Sequence, residues 1–255
     1  MAVEYDGSRF CGWQMQRGVR TVQEAVERAV TRVADHPLRV QCAGRTDTGV
    51  HAGGQVIHFD TTAVRDPRAW TFGSNANLPK DVCIRWARPV DDTFHARFSA
   101  HRRAYRYVIF NREVRPTYLA HRVTWEYRPL DVARMQAAAQ FLLGEHDFSS
   151  YRAVACQAKS PVRTVYRLAV SRDGPFLFID VEANAFLHHM VRNIAGVLMS
   201  IGAGERAPEW AGEVLAHRRR ALGGVTAHPY GLYLTRVDYP AQYALPEVPP
   251  APAVW

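Results

Sequence analysis

Long apolar runs are missing from this chain of 255 residues, and so are paired cysteines and nearly all lysine. No stretch approaches the ~18 consecutive apolar residues of a bilayer-spanning helix, so no membrane association is expected. The opening MAVEYDGSRF is no secretory signal. It reads as the interior of a strand, with the expectation that the start is slightly trimmed. Cys11, Cys42, Cys83 and Cys156 are far apart and form no CxxC pair. A zinc ribbon or redox dithiol is thereby disfavoured, and reduced thiols in a cytoplasmic protein are expected. No nucleotide-binding glycine loop and no metal-ligand cluster is recognisable, so neither a cofactor nor a metal is expected.

Lys80 and Lys159 are the only lysines, yet the formal charge is +8. A GC-rich genome would exchange lysine for arginine without producing that net excess. The planar fork of arginine makes paired hydrogen bonds to phosphate. Nucleic acid is therefore the favoured partner, with a polyanionic small substrate behind it.

The chain reads as two halves with related element orders. In the first, VEYDG (3–7) is a short strand and TVQEAVERAVTRVA (21–34) a helix, with Thr21 and Glu24 forming a capping box. LRVQCAG (38–44) alternates as a strand, with Leu38, Val40 and Cys42 on one face, and GQVIHFD (54–60) is its neighbour. A polar, turn-containing stretch around Asn75, Asn77 and Pro79 leads to a strand at 82–90. In the second half, 104–111 is a strand and 131–148 begins as a helix. Residues 164–184 form a hairpin turning at Asp173-Gly174. NAFLHHMVRNIAGVLMSIGAG (184–204) is the strongest helix, followed by a short helix near 208–219 and a strand at 231–239. The last sixteen residues hold five prolines and are expected to form an extended tail. The predicted class is α+β, with two ferredoxin-like or RRM-like halves, 1–100 and 101–240, and a tail at 241–255. The halves are expected to share one long, mainly antiparallel sheet, with helices on one face and a cleft on the other.

The stretch CAGRTDTGVHA (42–52) sets Asp47 among glycines, two residues after Arg45. If the strand continues through it, the period of two puts Arg45 and Asp47 on one side and Thr46 opposite. The guanidinium would then orient the carboxylate and keep it ionised, and a fixed, accessible carboxylate can act as a nucleophile. Composition alone favours the ordinary reading, a turn aspartate in a surface ion pair.

GRTDTGVHA closely resembles the signature around the catalytic aspartate of pseudouridine synthases, in the tRNA pseudouridine synthase A family. YDGSRFCGWQ (5–14), NANLP (75–79), FHARFSAHRRAYRY (94–107), LLGEHDFSSYRA (142–153), NAFLHHMVRN (184–193) and GLYL (231–234) resemble that family's blocks in the same order, over roughly residues 1–240. One short motif is weak, whereas ordered blocks along a whole chain are specific. The resemblance implies that Asp47 is the catalytic aspartate, Arg45 the arginine paired with it, and Tyr105 the active-site tyrosine packing on the base. It further implies that Arg192 is a second arginine near the carboxylate and Leu232 an apolar wall of the base pocket. Thr48 departs from the family, which often has alanine there, and its hydroxyl can bond locally and shift the loop. By pattern alone Tyr105 and Leu232 also read as core residues, and Arg192 as part of a solvated helix face with His188.

The implied activity is isomerisation of uridine to pseudouridine on the 3′ side of the tRNA anticodon arm, at tRNA positions 38, 39 and 40. The implied assembly is a homodimer. The N1–C1′ bond breaks, the base turns, and it rejoins through C5, which needs no cofactor but does need the base out of the stack. Attack at C1′ and elimination to a glycal both remain open, as does the base that removes the C5 proton, a role Tyr105 can fill. Arg102, Arg103 and Arg106 are candidate phosphate contacts. Two rivals stay in view. One is an RNA-binding protein of the same fold without the reaction, and the other a metal-dependent hydrolase using Asp47, His51 and His58.

Overall fold

The computed structural model describes residues 1–247, so most of the proline-rich tail lies outside the described residues. The chain divides into two units. The first holds residues 1–102 together with 233–247, and the second holds 103–232. The chain thus leaves the first unit at 102/103 and returns to it at 232/233.

In the first unit, β1 (Ala2–Tyr5) lies between β3 (His51–His58) and β4 (Val82–Trp86), antiparallel to both. A two-residue strand, β2 (Gln41–Cys42), pairs antiparallel with β3. The last strand, β10 (Leu232–Asp238), pairs parallel with β3, Tyr233 opposite His51. Two helices, α1 (Val22–Ala34) and α2 (Pro67–Asn77), pack on each other and over β4.

The capping box expected at Thr21 does not form. Thr21 is fully buried and its hydroxyl makes no cap bond. The first amides of α1 are taken instead by backbone carbonyls, Val22 by Gly12 at 3.2 Å and Gln23 by Trp13 at 3.0 Å. Those two donors are satisfied without a side chain, and the Thr21 hydroxyl is left buried without a hydrogen-bond partner among the described residues. The stretch expected to be a polar turn around Asn75 is helical. It starts at Asp66, which accepts from the Arg68 amide, with Pro67 in the first turn. Asn75 bonds both backbone groups of Ile84, at 2.7 and 2.8 Å, fastening α2 to β4.

In the second unit, β5 (Arg102–Asn111), β9 (Phe176–Ala183), β8 (Val162–Asp173) and β7 (Gly144–Asp147) are neighbours in that order, all antiparallel. A short β6 (Thr124–Glu126) runs parallel to β5. The hairpin does turn at Asp173–Gly174, Gly174 having φ +54°. Against β8 lies α3 (Val132–Gln140), and α4 (Met190–Gly202) and α5 (Trp210–His217) pack on α3 and on each other. The helix expected over 184–204 begins only at Met190. His189 takes φ +62°, a left-handed conformation that an α-helix cannot continue through. His188 and His189 therefore sit on a turn. The class is mixed α/β, with mostly antiparallel sheets faced by helices.

Candidate active site

The loop carrying Asp47 is positioned from all sides within the first unit. Its strand stops at Cys42, and residues 43–50 are bends and a turn, so the ladder does not continue through Asp47 as expected. Gln55, fully buried on β3, holds the loop entrance. Its amide donates to Gly44 O at 2.6 Å and its carbonyl accepts from Gly44 N at 3.3 Å. Thr46 points inward, and its hydroxyl shares a buried 2.8 Å hydrogen bond with the hydroxyl of Tyr5. The Thr46 carbonyl accepts from the Trp13 amide at 3.0 Å, and the Gly49 amide donates to Phe10 O at 3.3 Å. Gly12 has φ +80°, and a Cβ there would lie 2.7 Å from Thr46 O, so the 10–13 loop can lie this close only with glycine.

The exit is held by His51. This ring is 3% exposed and stacked on Tyr233 at 4.5 Å. Its Nδ1 lies 3.1 Å from the Gly7 amide nitrogen and 3.2 Å from Asp6 Oδ1. The His51 contact, with the Ser8 hydroxyl and amide, holds the Asp6 carboxyl below its ordinary range, against the opposing effect of burial. Asp47 itself is half-buried, between inward Thr46 and exposed Thr48. Arg45 is exposed. The bent loop, rather than a two-residue strand period, sets where that guanidinium points. Cys42, just upstream, is no competing nucleophile, because burial pushes its thiol up to about 12 despite the charge of Arg45.

Tyr105, Arg192 and Leu232 lie in the second unit. Tyr105 is on β5, 8% exposed, with its ring edge-on to Phe186 at 5.0 Å. Phe186, in the turn before α4, is an aromatic neighbour that sequence reasoning did not single out. Tyr107 is core, fully buried and bonded to Thr124 and to His228 O. Arg192 is half-buried in the first turn of α4, its Nε donating to Ala227 O at 2.8 Å. The Ala227 amide returns a bond to Arg192 O at 3.1 Å, which fixes the backbone around that side chain. Leu232 is buried at the start of β10.

The expected phosphate arginines are largely taken up by the fold. Arg106 forms a paired salt bridge with Asp180 at 2.7 and 2.9 Å, directly across β5 and β9. Arg103 is buried and donates to Asn184 O. Arg102 keeps partial exposure, 3.9 Å from Asp238. The two histidines of the metal-hydrolase reading do not come together. His51 and His58 stand seven residues apart on β3, roughly 24 Å of extended chain, and cannot share an ion.

With this geometry in place, the relatives decide the family. Residues 1–99 and 138–240 match the model of the family described as tRNA pseudouridine synthase. The tRNA pseudouridine synthase A of Nitrosococcus oceani is 60% identical over 255 residues, covering all of this chain and 98% of the relative. That of Pseudomonas aeruginosa is 60% identical over 97% of this chain and 87% of its own length. The Vibrio cholerae protein of the same name is 56% identical over 99% of this chain and 96% of the relative. The chain belongs to the tRNA pseudouridine synthase family. It is accordingly an isomerase of uridine in tRNA.

The loop carrying the Asp47 carboxylate is tied to β1, β3 and the 10–13 segment, which leaves it little conformational freedom. Of the ties, Tyr5, Asp6 and Gln55 were not singled out in the sequence as parts of the site, and His51 was named only as a ligand in the metal-hydrolase reading. Their signal was present only as the neighbouring block YDG (5–7) and the residue His51 closing the GRTDTGVHA string.

Proposed function

We propose that this protein converts uridine to pseudouridine on the 3′ side of the tRNA anticodon arm, with Asp47 as the nucleophile. The observation that carries this reading is Asp47 itself, a half-buried carboxylate in the family's signature string, on a loop bonded through Thr46, Gly44 and Gly49. Asp47 attacks C1′ of the flipped nucleotide, or assists departure of the base toward a glycal. The freed uracil turns and C5 bonds to C1′. The C5 proton then leaves to a base, for which the Tyr105 hydroxyl is the candidate. Tyr105 and Leu232 give the uracil an aromatic and an apolar surface. Arg192, with its backbone tied at Ala227, and exposed Arg45 provide positive charge toward the RNA. No cofactor enters this chemistry.

The protein is further proposed to work in the cytoplasm as a homodimer. Among the described residues no helix is long and apolar enough to cross a membrane. The test is to incubate the purified protein with an unmodified tRNA transcript and map pseudouridine by carbodiimide adducts and primer extension. New stops on the 3′ side of the anticodon arm are expected. Stops confined to other arms would overturn the assignment of the target region, and no stops at all would overturn the reaction on that tRNA.

A further inference from the structure

Residues 87–101 connect β4 to β5 without regular secondary structure, yet every backbone amide from Phe94 to Ser99 is hydrogen bonded. Phe94 donates to Asp91 O, His95 to Ser99 Oγ, Ala96 to His58 Nδ1, and Ser99 back to His95 O. The amides of Arg97 and Phe98 both converge on His95 Nδ1, at 3.1 and 3.3 Å. Beneath them Phe94 is buried against the rings of His58, Tyr239 and Tyr243, and the Tyr239 hydroxyl donates to Ala96 O at 2.6 Å.

On this fully bonded frame the ring of Phe98 is 75% exposed. The His95 ring lies 4.3 Å from it, and the Arg97 guanidinium 5.4 Å over it. Holding a large apolar ring in water gives up the favourable free energy of burying it. A loop that has already surrendered its conformational freedom to do so is preorganised for a partner. The flanking cation selects that partner's chemistry. An aromatic face with an adjacent arginine fits a base and the neighbouring phosphate of a nucleic acid strand.

We propose that Phe98, flanked by His95 and Arg97, is a stacking platform for a base of the bound RNA, with Arg97 holding a phosphate beside it. This rests on the reading of the protein as a tRNA enzyme. It adds a contact outside the residues assigned to the uridine itself.

The test is equilibrium binding of an unmodified tRNA transcript across a salt series. The parent is compared with Phe98→Ala, Phe98→Trp, Arg97→Gln and the control Val64→Ala, a change at an even more exposed apolar residue of the first unit. Phe98→Ala is expected to weaken binding about tenfold at an unchanged melting temperature, and Phe98→Trp to stay within about twofold of the parent. Arg97→Gln should flatten the slope of log K against log salt by about one, and Val64→Ala should bind as the parent does. Parent-like affinity in Phe98→Ala overturns the platform and leaves the tRNA reading standing. Failure of the parent itself to bind tRNA overturns both. Parent-like RNA binding with a dimer-to-monomer shift in Phe98→Ala overturns the platform in favour of a protein contact.

Discussion

At the scale of single residues, the account turns on how Asp47 is held. The residue before it is anchored inward through the Tyr5–Thr46 hydrogen bond, which is buried and spans 41 residues of sequence. Thr46→Val removes this hydrogen bond from the Tyr5 hydroxyl, at a cost of about 0.5–1.5 kcal/mol. The expected outcome is roughly a tenfold fall in the single-turnover rate, with tRNA affinity near that of the parent and Thr46→Ser restoring most of the rate. Equal rates for Thr46→Val and parent would show that this bond does not position the carboxylate. Asp47 was legible in the sequence because nine consecutive residues carry the family string. Thr46 was legible only as the residue opposite Asp47. Its partner was not, because nothing local in YDG says which strand will lie beside it. Placing Arg45 and Asp47 on one side required the strand to continue through them, and it ends at Cys42.

At the scale of elements, the glycines and the capping of α1 work together. The loop at 10–13 caps α1 with the carbonyls of Gly12 and Trp13 and also receives the Asp47 loop at Thr46 and Gly49. One segment thus sets both the helix start and the acidic loop. A Cβ at Gly7 would overlap the carbonyl oxygen of Val50, just beyond the turn. Gly7→Ala should therefore destabilise the protein by about 1–3 kcal/mol, lowering Tm by about 2–4 °C for each kcal/mol. A thermal melt of the variant indistinguishable from the parent would contradict this packing.

The loop that presents Phe98 depends on neutral His58, whose Nδ1 accepts the Ala96 amide at 3.1 Å. Burial holds the His58 pKa below its ordinary 6.5, with His95 lowering it further and Asp60 opposing. Between the depressed value and 6.5 the unfolded chain binds more protons at this position. Stability from His58 is therefore complete above 6.5 and is lost as pH falls through that window. His58→Gln should remove this component from the pH dependence of Tm below about 6.5. Identical profiles for variant and parent would count against it. Of the elements themselves, α1 and the 164–184 hairpin were readable from periodicity and from Asp-Gly. By contrast, α2 was obscured by Gly73, Asn75 and Asn77, whose side-chain and packing roles against β4 and α1 outweigh their poor helix propensity. The start of α4 was overrun because NAFLHH looks apolar enough to be helical, whereas His189 breaks the backbone there.

At the scale of the whole molecule, the net charge of +8 and the family assignment point to the same partner. Binding to tRNA should weaken by more than about tenfold between 50 and 200 mM salt, as release of counterions from several phosphates requires. A flat salt dependence would mean that the arginine excess serves something other than RNA. The sequence could not show which arginines those are, because Arg103 and Arg106 look like any other arginine until the structure pairs them with Asn184 and Asp180. The most direct measurement is tritium release from C5-labelled uridine in a tRNA transcript, with the parent and Asp47→Ala each checked for tRNA binding. The account predicts release by the parent and none by Asp47→Ala, with both binding tRNA. Release by Asp47→Ala at the parental rate would contradict the assignment of Asp47 as the nucleophile.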